Sequence, residues 1–126
     1  MRSVIIEIGG KEREISFGLK TLGDCIRHFG QDPDELVSSL SKNMYESIPV
    51  VFYYGMKYAE ERNKRIPDFT LDDVFDWLEQ EGILGEKVTK VVQAFMGSMY
   101  DNVPGMKEVV DAGGDEQKKI LIGTQT

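Results

Sequence analysis

The chain has 126 residues, 40% of them hydrophobic, and 15 Lys+Arg against 22 Asp+Glu give a net charge of −7. That length suits one domain with a real core, and the acidic balance argues against nucleic acid or an anionic membrane surface, both of which want a basic patch. The lone cysteine, Cys25, excludes an intramolecular disulfide, no run approaches the ~18 apolar residues of a membrane span, and Met1-Arg2-Ser3 leads into an alternating segment, so a cytoplasmic protein is expected.

Val4 to Ile8 and Glu12 to Phe17 are short runs, the second alternating Ile15 and Phe17 with Glu14 and Ser16, and Gly9-Gly10 lies between them. A primed two-residue turn needs positive φ, which glycine adopts without steric cost, so an N-terminal β-hairpin is predicted. Two strands are marginal alone, and the face carrying Val4, Ile6 and Ile8 is expected to rest on helices. After Gly18, Leu19, Leu22, Cys25, Ile26 and Phe29 recur at helical spacing until Gly30 supplies a stop. Asp32-Pro33-Asp34-Glu35 then reads as an N-cap, a first-turn proline and an acid three residues on, opening a short second helix through Leu36, Val37 and Leu40. Ser38 to Asn43 is expected to loop onward.

Ser47 to Ala59 contains the longest apolar run, with Ile48, Val51, Phe52, Gly55 and Ala59 on one helical face and Val50, Tyr53, Tyr54 and Met56 over much of the rest. Such a helix must be covered nearly all round. Ser47 is its expected N-cap, with Pro49 in the first turn, where a missing N–H does no harm. Its tyrosines fit either a core or a groove for a partner's helix. Ile66-Pro67-Asp68 forces a break, and Thr70 caps a fourth helix from Leu71 to Glu81, with Asp73 in the capping-box position. There Leu71, Val74, Phe75 and Leu78 form the expected core stripe, Trp77 lies at its margin, and Asp72, Asp73, Asp76, Glu79 and Glu81 make an anionic outer face. Gly82 and Gly85 bracket a turn before a fifth helix, Lys87 to Tyr100, whose Val88, Val91, Val92, Phe95 and Met99 repeat at three and four. Met106 to Ala112 is compatible with a further turn or two of helix. The fold class expected is therefore α+β, mostly α, with a hairpin packed on about five helices in a single domain spanning 1–112, and a flexible tail at 113–126.

Motifs for chemistry are weak. Asp72 and Asp76, one turn apart, match the aspartate-rich magnesium motif of prenyl-transferring enzymes, but the chain is too short for the cavity that chemistry needs. Cys25 and His28 are spaced as a thiolate and base or as half a metal site, yet Cys25 lies in an apolar stripe and reads as a buried, inert thiol. The cations near Tyr58, namely Arg62, Lys64 and Arg65, are offset by Glu60 and Glu61 and complement a helix end. No cofactor and no metal are expected, and no enzyme.

The hairpin with Ile8-Gly9-Gly10-Lys11 and Ile15-Ser16-Phe17-Gly18, the helix after it, and the segment from Pro67 to Glu79 resemble the tail assembly chaperones of long-tailed bacteriophages. The likeness covers roughly residues 3–100. It implies a non-enzymatic protein of the infected host cell's cytoplasm, absent from the mature virion, that binds and solubilises the tape measure protein and helps to recruit tail tube protein. It also implies a longer product by ribosomal slippage, with which Lys118-Lys119 is compatible. Residues left over after each helix forms its core stripe, Tyr53, Tyr54, Tyr58, Trp77 and Met96, are the candidates for partner binding. Ile120-Leu121-Ile122 suits strand addition to an open hairpin edge, which between subunits would give a homo-oligomer. A small cytoplasmic adaptor or a structural component of a phage particle would share the same absence of chemistry.

Overall fold

In the computed structural model, which describes residues 2–29 and 32–102, a two-stranded antiparallel hairpin is followed by five helices. The strands β1 (Arg2–Ile8) and β2 (Lys11–Phe17) pair with Ile8 opposite Lys11, and Gly9 and Gly10 both have positive φ, 63° and 84°. The predicted primed turn is present. Period-two alternation then sends Val4, Ile6, Ile8, Ile15 and Phe17 inward, and also Arg13.

The helices are α1 (Leu19–Phe29), α2 (Pro33–Lys42), α3 (Met44–Arg62), α4 (Leu71–Glu81) and α5 (Glu86–Asn102). α3 is the hub, packed against β2, α1, α2, α4 and α5. Ile48, Val50, Val51, Phe52, Met56 and Ala59 are all buried, as a helix with so little polar surface requires. At Gly55 the helix backbone lies directly on β2: a Cβ there would collide with Ile15 Cγ2 and come within 3.0 Å of the Phe17 ring. α5 runs antiparallel to β1. Lys87 Nζ at its start donates to the Glu7 carbonyl at 2.8 Å, Arg2 near its end pairs with Asp101 at 2.9 Å, and Phe95 meets Phe17 edge-on at 5.4 Å.

Several boundaries differ from expectation. Ser38 to Lys42 is helical, not a loop, and Asp32 stands at the N-cap of α2 without a side-chain cap hydrogen bond. The central helix begins at Met44, so Pro49 lies inside it rather than in the first turn. Ser47, the expected cap, is instead a buried clamp whose hydroxyl lies 3.1 Å from the Ser39 carbonyl and 2.9 Å from that of Asn43, joining the end of α2 to the start of α3. The carbonyl that Pro49 deprives of a donor belongs to Tyr45, which is 73% exposed, so water can replace the missing N–H. α3 ends in a Schellman-type turn, Lys64 N–H to Glu61 and Arg65 N–H to Glu60, with Lys64 at φ 57° where glycine is usual. The Thr70–Asp73 capping box is formed in both directions, at 2.9 and 3.2 Å.

Three stripe assignments also change. Leu19 is 68% exposed and Phe75 is 38% exposed, because each sits at the solvent side of its helix, whereas Met96 is 8% exposed within the core. The Gly30 stop, the further helix at 106–112, the tail at 113–126 and Lys118 to Ile122 lie outside the described residues.

Gly55→Ala is expected to destabilise the domain by about 1–3 kcal/mol through overpacking against Ile15 and Phe17. Gly23 on α1 has space for a Cβ, its nearest contact being 3.6 Å away at Arg27, so Gly23→Ala should stabilise by ~0.5–1 kcal/mol through helix propensity. Thermal melts of both variants check the pair; equal shifts in one direction would refute the close-approach account.

Candidate functional site

The hairpin turn is clamped to α4. Arg13, its side chain 7% exposed, donates from Nε to the Ile8 carbonyl at 3.0 Å and pairs with Asp68 at 2.9 Å. Its guanidinium lies 4.5 Å from the Trp77 ring centroid and 5.3 Å from that of Phe69. Desolvated cation–π contacts of this kind, with a carboxylate beside them, offset the cost of burying the charge. Trp77 in turn covers Gly9, where a Cβ would come within 2.5 Å of the indole. The connection from Asn63 to Thr70 is thereby pinned to the sheet, and α4 returns antiparallel to α3.

A string of ring contacts follows from that placement, tilted between Trp77 and Phe69 and edge-on thereafter. Trp77 meets Phe69 at 6.1 Å, Phe69 meets Tyr53 at 5.9 Å, Tyr53 meets Tyr54 at 5.1 Å, and Tyr54 meets His28 at 5.9 Å, with the Tyr54 hydroxyl 3.4 Å from Nδ1. Burial, with Asp24 nearby, raises the Tyr54 hydroxyl pKa above its ordinary value. The structure thus brings Tyr53, Tyr54 and Trp77 into one series of half-buried, mutually packed rings. Tyr58 stands apart near the end of α3 with the Arg62 guanidinium 5.8 Å from its ring, and Met96 is in the core. Arg65 makes two bonds to Glu60, at 2.9 and 3.1 Å, the local pairing expected of that cation cluster.

An open apolar surface lies between the first half of α3 and α4. A depression of about 530 Å³ is lined by Tyr45, Pro49, Phe75, Leu78, Glu79 and Ile83. A second of about 310 Å³, lined by His28, Phe29, Glu46, Val50, Leu71 and Phe75, shares Phe75 with it. Together they form a shallow groove along α4. Sequence reading missed Tyr45, Pro49, Phe75 and Ile83. Phe75 is expected in the core stripe of α4, and Tyr45 falls between the loop expected at Ser38 to Asn43 and the helix start expected at Ser47; the observed start at Met44 places Tyr45 and Pro49 on one face.

Of the candidates for chemistry, burial, with Asp24 as the smaller cause, pushes the Cys25 thiol far above its usual range, which leaves it without thiolate character near neutrality. Among the described residues no group of three or more His, Cys, Asp or Glu side chains is placed to hold a metal ion, and no helix is long and apolar enough to cross a membrane. The groove offers contact surface and no reactive constellation. No family model, curated protein or solved structure matches this chain.

Hydrogen bonds from Lys11 and Arg13 hold the Asp68 carboxyl well below the usual carboxylate range. A lowered folded-state value means that this pairing contributes its full stability above the unfolded value near ~4 and loses it as pH falls toward the folded value. Because Asp68 is half exposed, solvent screens the effect. Asp68→Asn should therefore melt below the wild type at neutral pH, with the gap narrowing between about pH 4 and pH 2. A gap that stays constant over that range would show that the pairing does not link the turn to α4 as described.

Proposed function

We propose that this chain is a tail assembly chaperone of a long-tailed bacteriophage, a non-enzymatic protein that covers apolar helical segments of the tape measure protein in the host cytoplasm. Two things support the reading: the resemblance over residues 3–100, and the exposed apolar groove between α3 and α4, where Tyr45 and Phe75 stand free of the core. The groove is the observation that carries it. A long helical protein with unburied apolar faces aggregates, and a helix-lined groove shields such a face by accepting it lengthwise. Net acidity keeps the complex soluble while tail tube protein is recruited around it. A role confined to assembly implies release before the virion is complete.

Co-expression with the tape measure protein tests this. The wild-type chain should keep the tape measure protein soluble and co-purify with it, whereas Tyr45→Asp/Phe75→Asp should reduce recovery at least about tenfold, the loss expected for two apolar anchors in a buried contact. Tyr45→Asp alone should melt near the wild type, since Tyr45 is 73% exposed, and its loss of recovery separates lost docking from lost stability. Tyr58→Asp, outside the groove, should leave recovery unchanged. A tape measure protein equally soluble with the double variant would sink the assignment of the groove, and one insoluble even with the wild type would sink the chaperone reading.

A further inference from the structure

The groove has an acidic border, heaviest along α4. On α4, Asp72, Asp76 and Glu79 recur at intervals of four and three, a single stripe beside Phe75, and Glu46 faces the groove from α3. All four are exposed, and among the described residues none has an ion-pair partner. Their neighbours outside the groove are satisfied differently: Asp73 is spent in the capping box and Glu81 pairs with Lys87 at 3.0 Å. Among the described residues His28 is the only basic side chain that lines either depression. Like charges at i and i+4 on a helix repel, so the stripe costs α4 stability when alone and is relieved by an incoming cation row.

Resting on the docking role above, we propose that the groove selects its occupant by charge: an amphipathic helix of about three turns whose apolar stripe is bordered on one side by Lys or Arg at helical spacing. The length follows from α4, whose 11 residues at ~1.5 Å each give ~16 Å of track. The apolar stripe sits on Phe75, Leu78, Ile83 and Pro49, while the basic border lies over Asp72, Asp76 and Glu79. Several exposed pairs act together along one row, and the long-range field of an acidic chain favours approach in that orientation. A helix with the same apolar stripe and an acidic border meets repulsion along the whole track.

Two synthetic helical peptides of about four turns, identical except for Lys or Glu at three border positions, test this by titration against the full chain. The Lys-bordered peptide should bind about tenfold more tightly than the Glu-bordered one at low salt, and the preference should shrink toward ~1 M salt as screening shortens the interaction range. Asp76→Lys/Glu79→Lys should reverse the preference; Asp76→Asn/Glu79→Gln should abolish it without reversing it. Equal affinities overturn charge selection while leaving apolar docking intact, and failure of both peptides to bind overturns the groove as a helix site. A preference that survives both variants places the contact elsewhere. Peptide affinity that falls as the chain's own concentration rises overturns the proposal in favour of a second copy in the groove. The chaperone reading is judged independently, by recovery of the tape measure protein.

Discussion

At Gly55 the backbone of α3 lies against Ile15 and Phe17 of β2 more closely than any side chain would permit, and most of the architecture depends on that contact. A hairpin of two strands has too little buried surface to stand alone, so it needs a broad apolar partner. α3 supplies one only because a missing Cβ lets the helix settle onto the sheet. Once it has, its remaining apolar faces must be covered from the other directions, and α1, α2, α4 and α5 do this. The near-continuous hydrophobicity of Ile48 to Ala59 is thus the consequence of being the hub.

A second constraint orients what the first collects. Arg13 occupies an inward position on β2, where an unpaired charge would be costly. It is made tolerable by Asp68, the Ile8 carbonyl, Phe69 and Trp77, which come from three separate stretches of chain. The same contacts bring α4 back along α3, and the antiparallel pair leaves a groove on its outer side. The surface proposed to bind a partner therefore depends on a clamp at the opposite margin of α4.

Helical periodicity, glycine turns and capping residues were legible because they act over a few residues. The Gly9-Gly10 turn, the Thr70–Asp73 box and the apolar faces of α3 and α5 needed nothing beyond local stereochemistry and spacing. The start of α3 was not legible, because Ser47 can cap a helix or clamp a helix junction, and which it does depends on Ser39 lying within 3.1 Å across the α2–α3 corner. Leu19, Phe75 and Met96 were misplaced for a related reason. Periodicity identifies an apolar stripe but not how wide a part of it the neighbouring element covers.

For the candidate site the division is sharper. The sequence by itself determined that the chain is acidic, that its fold is a hairpin on helices, and that aromatic residues exceed what one stripe of each helix needs. Tertiary structure decided where those side chains go: Tyr53, Tyr54, Phe69 and Trp77 pack on one another, Met96 goes to the core, and Tyr45 and Phe75 are left at the surface beside carboxylates that have no ion-pair partner among the described residues. The physical reason is that a side chain's availability depends on contacts between residues far apart in sequence, whereas its hydrophobicity and helical phase belong to the residue and its near neighbours.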